Sequence, residues 1–574
     1  MKSSLLSAVT TAARPGFFPI LVVSLSMACV TQADQTWSGA ADALWSTTGN
    51  WTTAVPGPFD ITIFDATSTA NLATTLGTDR SVAGIRIVDP PAAVSVATTN
   101  ILTIGASGID LSAATQNFTL NNAVVLGAAQ IWTVGAGRTL LASATAVISG
   151  GSGITKPGLG TLTLQAANTF TGGVNVGAGT LIVKNNGGAG VGGTISLANN
   201  TNFRIERTGT VNTFVGNAVA VAAGASVFMT TDNAANGFSG LVTGDAASVY
   251  QVGNTGSLTQ VSFSLGANTQ QFGGFAGTVE VFDGASLRFS QTSGVNNGGS
   301  GTAFDLNTSG VLTARNSGTV NLGALTGSGT VSGSSGAPGT TIYSIGAKNV
   351  ASTFNGIITD SAADRKAAVT KTGTETLTLG GNSTYSGATN INAGKLLVTG
   401  NINGFGTAPV VHSAVTVGAA GTLGGTGSLS GTVTVNGTIA PGLSPGTLTI
   451  NNNLILNSTA TLSYELNGTN QAVGGGVNDL LSGIINLTLD GTLNVTELGS
   501  FGGLSSGSWR VINYNGILTD SGLNLGTVPV SDPGTTFAID TATPGQVNLV
   551  LVPEPGTALL GFLAGLGLLR RRRV

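Results

Sequence analysis

The residue types that carry most protein chemistry are scarce in this chain. Among 574 residues there is one histidine, His412, and one cysteine, Cys29. A Ser-His-Asp or Cys-His arrangement needs a base beside its nucleophile, and the one candidate, His412 within the strand-like Val-Val-His-Ser-Ala, reads as a surface or satisfied interior residue; a zinc centre needs several His or Cys donors, which this inventory lacks. Two glycine-rich stretches approach a calcium-binding β-roll pattern, but Gly298-Gly299-Ser300-Gly301-Thr302-Ala303 has Ala at the ligand position. The other, Gly474-Gly475-Gly476-Val477-Asn478-Asp479, has Val where the fourth residue should be Gly. The closest acidic groupings are Asp60 with Asp65, and Asp360 with Asp364, Arg365 and Lys366. Neither has the spacing of paired carboxylates for general acid–base work, and both read as solvated loop charges. Lys156 and Lys371 read as edge residues whose aliphatic stems pack while their ammonium groups stay wet. No catalytic residue, cofactor site or metal ligand is expected, and the chain reads as non-enzymatic.

The elements that would carry these residues are strands. Only 8% of residues are charged, the net charge is −3, and 88 residues are glycine. Disorder driven by charge is excluded by that balance, and the lack of a basic stripe with interleaved aromatics argues against nucleic acid as a partner. Helix formers are few, whereas Thr, Val, Ile, Gly, Asn and Ser abound, which is the composition of short strands between tight corners. Alternations such as Thr161-Leu162-Thr163-Leu164, Thr180-Leu181-Ile182-Val183, Thr376-Leu377-Thr378-Leu379 and Thr447-Leu448-Thr449-Ile450 put apolar side chains on one face and polar ones on the other.

The segment from Ile154 to Val183 aligns without a gap to the segment from Val369 to Val398, with about half of the positions identical. Lys156 matches Lys371, Gly158 matches Gly373, Phe170 matches Tyr385, Gly172 matches Gly387, and Gly179 matches Gly394. Both segments resemble the autotransporter-associated β-strand repeat, also called the passenger-associated transport repeat, with its L-x-K-x-G-x-G-T-L-x-L, N-T-Y-x-G and G-x-L blocks. Departures are Ala166 for Gly in the first copy, and Glu375 for Gly and Ser383 for Asn in the second; they are expected to weaken single corners. A third stretch, 421–450, is related. The resemblance implies an all-β chain folded as a right-handed parallel β-helix. Elementary physics agrees, because a unit of four-to-six-residue strands cannot bury its apolar face alone, whereas stacked turns bury a continuous column.

The two ends read as addresses. Lys2 and Arg14 precede the apolar run Phe17 to Val30, a secretory signal peptide with cleavage expected after Ala33, where Thr31 and Ala33 supply the small residues that signal peptidase reads. At the other end stand Pro553-Glu554-Pro555, an apolar run from Thr557 to Leu569, and the cluster Arg570, Arg571, Arg572 and Arg573. Prolines fix φ and lack an N–H, so the triplet reads as an exposed, extended handle that continues neither strand nor helix. The run after it could form a helix of roughly 13 residues, a marginal transmembrane anchor beside the roughly 20 that span comfortably, and the arginines would stop transfer on the cytoplasmic side. This tail resembles the PEP-CTERM sorting signal of Gram-negative bacteria. The resemblance implies an exosortase-type processing enzyme as a partner, and a setting in exopolysaccharide or biofilm matrix.

The expected organisation is a signal peptide at 1–33, an N-terminal β-rich cap with the first turns at 34–150, a β-helix at 151–450, a C-terminal β region at 451–550 and the sorting signal at 551–574. Trp37, Trp45 and Trp51 are expected to close the first turn, with a sugar-stacking platform as their functional alternative. The region 451–550 is either a separate unit or the last turns. The expected function is an exported structural or adhesive protein of the cell surface or extracellular matrix. It would leave by the Sec translocon and be held transiently in the inner membrane by its C-terminal helix. The alternative is a β-helical polysaccharide lyase or hydrolase, which would require acidic and basic side chains from neighbouring turns to converge in a groove.

Overall fold

The computed structural model describes residues 34–554 apart from 98, 208, 210–211, 233–235, 254–259, 265–270, 291–296 and 407–408, and gives only the backbone of 260–264, 290 and 297. These residues form a parallel β-solenoid, the coil of strands that the repeat resemblance implies. The only helical element among the described residues is the 3-10 turn Thr48–Asn50. Three parallel ladders run along the rod. One begins at Asp34–Thr36 and Ile61–Phe64, passes through Ile154–Lys156, Val174–Val176 and Ile195–Leu197, and resumes through Gly339–Ile345 and Arg365–Lys371 to Leu518–Asp520. The second runs from Ala73–Thr75 through Thr161–Leu164 and Thr180–Val183 to Asn524–Leu525. The third is carried through Ser286–Ser290, Val311–Ala314 and Thr376–Leu379's neighbour Asn382–Ser383 to Gly507–Tyr514.

Within each strand alternate residues point inward, so like positions of successive turns stack into columns. One column of the second ladder is Leu140, Leu162, Leu181, Phe203, Met229, Val252, Val281 and Leu306, all buried. Continuous columns of this kind are the core, and each turn is stable only because its neighbours cover it. Turn length is uneven: Leu423 sits sixteen residues before its partner Ile439, and Leu493 thirty-two before Leu525. Loops between strands absorb most of that variation, and the ladders shift register at a few bulges.

Both ends of the described rod depart from plain stacking. At the start, Trp37, Trp45 and Trp51 are buried and meet edge-to-face, with ring centroids 4.9 Å apart for Trp37–Trp51 and 5.5 Å for Trp45–Trp51. Their indole N–H groups donate to Ala70 O, Thr74 Oγ1 and Trp45 O. No ring face is left for a sugar, so the stacking-platform alternative finds no support in these side chains. At the far end the ladders continue through Leu454–Leu456, Leu487–Leu489 and Leu518–Asp520 without a break. The third ladder then changes direction. Gln546–Pro553 pairs antiparallel with both Gly507–Tyr514 and Thr535–Asp540.

Pro553 is the last residue of that strand, opposite Thr535, and the Glu554 N–H donates to Gly534 O at 2.7 Å. The expectation that the triplet cannot continue a strand is therefore corrected for its first residue. A proline is tolerated at a strand end because the N–H it lacks is not needed there. Val552, Pro553 and Glu554 are exposed. Ala33, Pro555, the run from Thr557 to Leu569 and Arg570, Arg571, Arg572 and Arg573 lie outside the described residues. Among the described residues no helix is long and apolar enough to cross a membrane.

Candidate functional site

Lys156 ends the strand Ile154–Lys156 with an inward-facing parity, two residues after buried Ile154, and is itself fully buried. Its ammonium donates to Gly158 O at 2.6 Å, two residues on, and to Ala178 O at 2.7 Å, on the corner of the following turn. Lys371 ends Arg365–Lys371 and repeats the arrangement: its ammonium donates to Thr372 O at 2.6 Å, Gly373 O at 3.0 Å and Ala393 O at 3.2 Å. In both copies the reach is two residues within a corner and twenty-two to the next. These lysines are internal clasps between consecutive corners, which corrects the reading of a wet ammonium at the rod's edge. Gly158, Ala178, Thr372 and Gly373 lie between strands, outside the ladders, and a charged donor is the strongest single group that can satisfy several carbonyls at once.

Burial pushes the Lys156 ammonium down to about 8. The Lys371 ammonium is also lowered by burial, but the Glu375 carboxylate acts against that shift. Glu375 occupies the position of Gly160, so this departure from the repeat pattern supplies a countercharge to the clasp. Ser383 likewise does the work of Asn168. In the first copy the Ile148 N–H donates to Asn168 Oδ1 at 2.8 Å, and in the second the Ile358 N–H donates to Ser383 Oγ at 3.1 Å. Neither departure leaves its corner without a partner.

The repeat glycines are explained by contact between stacked corners. A Cβ at Gly158 would lie 2.2 Å from Val134 O, at Gly172 2.2 Å from Gly153 N, and at Gly387 2.2 Å from Ala367 O. Gly179, Gly373 and Gly394 additionally have positive φ, and a Cβ at Gly373 would lie 2.0 Å from Gly346 O. Turns thus touch backbone to backbone at these corners, which only glycine permits.

The remaining groups considered for chemistry are dispersed. His412 is exposed, with Nδ1 2.9 Å from Asn403 O. The Asp60 carboxylate accepts from the Gly57 N–H and Asp65 from the Thr67 N–H, each within its own loop. Asp364 is exposed beside Arg365 at 3.9 Å. Asp360, expected to be solvated, is buried: it accepts from the Ala367 N–H at 2.7 Å, and from the Ser386 N–H and Oγ at 3.1 and 2.5 Å. Asp479 is buried too, with one oxygen taking the Gly446 N–H at 2.7 Å and the other the Glu465 N–H at 2.8 Å. Burial raises its carboxyl to about 6 despite those two bonds. Four ionisable groups inside the rod therefore hold backbone, and among the described residues no group of three or more His, Cys, Asp or Glu could hold a metal.

One polar groove was not legible in the sequence. It has a volume of about 670 Å³ and lies at the junction where the third ladder turns antiparallel, with Ser482, Arg510, Asn513 and Gln546 in its lining.

The fold and the clasped corners define a parallel β-solenoid with two copies of one repeat. The Passenger-associated-transport-repeat family matches the chain at residues 154–183 and 369–398, the two segments that carry the lysine clasps. The chain is also similar to the adhesin BmaC autotransporter of Brucella suis biovar 1 (strain 1330), at 35% identity over 113 residues, which is 20% of this chain and 3% of that protein.

Proposed function

We propose that this protein is a non-enzymatic, exported rod that serves a structural or adhesive role at the cell surface or in the extracellular matrix. The observation that carries the reading is the use made of its buried ionisable side chains: Lys156, Lys371, Asp360 and Asp479 each bind backbone atoms of the rod itself. A β-helical enzyme would present such groups together in a groove. The similarity to a passenger repeat and to an autotransporter adhesin supports an extracellular setting, on a short stretch of both chains.

In this reading the first 33 residues direct export through the Sec translocon, and signal peptidase cuts after Ala33. The tail from Val552 is the sorting element. Pro553-Glu554-Pro555 is the handle for an exosortase-type enzyme, Thr557 to Leu569 the transient inner-membrane segment, and Arg570 to Arg573 the stop-transfer cluster. Exopolysaccharide is the proposed surrounding partner. The exposure of Val552, Pro553 and Glu554 at the end of the last strand supports access by a processing enzyme.

The test is removal of residues 554–574 followed by cell fractionation and mass spectrometry of the mature C-terminus. The intact chain is expected to end near the triplet and to reach the surface or the medium. The shortened chain should keep its β-sheet circular dichroism but change compartment. An unchanged location, or a full-length tail on the mature protein, would overturn the sorting role.

A further inference from the structure

The groove at the parallel-to-antiparallel junction has the features of a ligand site. Its lining crosses three adjacent strands: Ser482 from Leu480–Ile484, Arg510 and Asn513 from Gly507–Tyr514, and Gln546 from Gln546–Pro553. Two irregularities of register meet there, between Leu481 and Ile484 on one strand and between Arg510 and Ile512 on the next. An extra residue in a strand re-aims the side chains that follow, and here it brings Arg510 and Asn513 to the same outward side although they are three residues apart. Tyr514, Leu518, Pro544 and Gly545 are also part of the lining.

The guanidinium of Arg510 is held but not neutralised. Its Nη1 makes one long contact, 3.4 Å, to Asn513 Oδ1, and its Nε has no hydrogen-bond partner. Among the described residues no carboxylate lies within ion-pair distance of it. An arginine that lines a groove with no carboxylate partner, a solvent-shielded Nε and only one long hydrogen bond from its terminal nitrogens is suited to a carboxylate, which those terminal nitrogens can take in a bidentate pair. The surrounding Ser, Asn and Gln side chains offer both donors and acceptors, as hydroxyl groups require. The volume falls within the roughly 300–1,000 Å³ of small-molecule sites.

We propose that this groove binds an acidic saccharide unit, with Arg510 on the carboxylate and Ser482, Asn513 and Gln546 on ring hydroxyls. It deepens the proposed surface role by naming the class of sugar, yet it does not depend on export or sorting.

The experiment is calorimetric titration of the purified exported chain with linear trigalacturonate, with the same trisaccharide after reduction of its carboxyl groups, and with sodium acetate. Saturable binding of trigalacturonate is expected, weakened by roughly tenfold or more on carboxyl reduction, as for loss of a charged hydrogen bond. Arg510→Gln should weaken it by a similar factor and Asn513→Ala by less, while both variants keep the parental melting temperature. Acetate should bind far more weakly than the trisaccharide. Equal affinity of the reduced trisaccharide, equal affinity of Arg510→Gln, acetate binding as tightly as trigalacturonate, or no binding of trigalacturonate at millimolar concentration would each overturn the proposal. Any of these results leaves the sorting reading standing, since the titration involves no cell.

Discussion

Lys156 ties one turn of the solenoid to the next: its buried ammonium donates to the carbonyl oxygen of Ala178, twenty-two residues on, at 2.7 Å. The same reach joins Lys371 to Ala393 at 3.2 Å. Ladder hydrogen bonds join strands, whereas Gly158 and Ala178 lie on corners outside any strand. The clasp joins those corners, which explains why a lysine stands in an otherwise apolar inward column. Lys156 pairs in register with Val176, and Lys371 with Ile391.

Replacing Lys156 by Met keeps most of the unbranched side chain and removes its donors, leaving Gly158 O and Ala178 O short of a partner. A loss of roughly 2–4 kcal/mol is expected, from a charged hydrogen bond and from desolvated carbonyls left unpaired. A solenoid opens locally, so the effect belongs in amide hydrogen exchange around 177–180 as well as in a urea transition. Exchange at that corner as slow as in the parent would show that the clasp contributes nothing.

The second copy carries its own control. Glu375 raises the Lys371 ammonium against the lowering by burial. Glu375→Gly is expected to lower the Lys371 pKa further, toward the value near 8 of its counterpart Lys156. The shift is readable by ¹³C titration of the labelled lysine side chain, and no movement would remove Glu375 from the account. The reverse change, Gly160→Glu, is not equivalent, because a Cβ at Gly160 would lie 2.2 Å from Gly135 O.

The corner glycines divide by contact and not by conformation alone. Gly373 and Gly137 share a φ of +71°, but a Cβ at Gly373 meets Gly346 O at 2.0 Å whereas one at Gly137 meets nothing within 4 Å. Gly137→Ala should cost about 1 kcal/mol for the positive φ, and Gly373→Ala several times that, because the stacked turns must part. Equal melting temperatures for the two variants would refute the distinction.

What the sequence disclosed and what it hid follow from the same two-residue period. Thr161-Leu162-Thr163-Leu164 and its relatives announced strands, and glycine steps announced corners, because both signals are local. The inward position of Lys156 was also available, since it shares parity with Ile154; the assumption that charge faces water concealed it. Asp360 was missed for another reason. Its partners, Ala367 and Ser386, lie seven and twenty-six residues on, and only the folded path brings their N–H groups to one carboxylate. The Arg510 groove depends on register shifts and on the antiparallel return of Gln546–Pro553, and a simple alternation carries no trace of either.

Asp479 predicts a pH dependence. Burial raises its folded-state carboxyl to about 6 from an ordinary value of 3.8, with Glu465 adding to the rise and Lys395 and the two backbone N–H donors opposing it. Between those pH values the folded chain holds more protons than the unfolded one, so stability falls as pH rises. The contribution is fully present below about 4 and is lost as pH passes through about 6. An effect on the order of 1–3 kcal/mol is expected. Urea transitions of the parent and of Asp479→Asn at pH 4.5 and 7 should therefore differ in slope with pH, the variant lacking this component. The same slope in both would place the titration elsewhere.

The tryptophan cluster at the start should govern where the rod begins to open. Trp45 is fully buried, donates its indole N–H to Thr74 Oγ1 at 2.9 Å, and supports Trp51 edge-to-face at 5.5 Å. In a stack whose turns are stabilised by nearest neighbours, the terminal turn has support on one side only, so its aromatic cover substitutes for the missing turn. Trp45→Ala is expected to cost roughly 3–5 kcal/mol locally. Limited proteolysis should then cut first between about residues 37 and 80, while the ladders around Lys156 and Lys371 survive intact. Cleavage that instead spread at once along the whole chain would mean that the turns unfold as one unit, and that the cluster is an ordinary part of the core and not the element that closes its end.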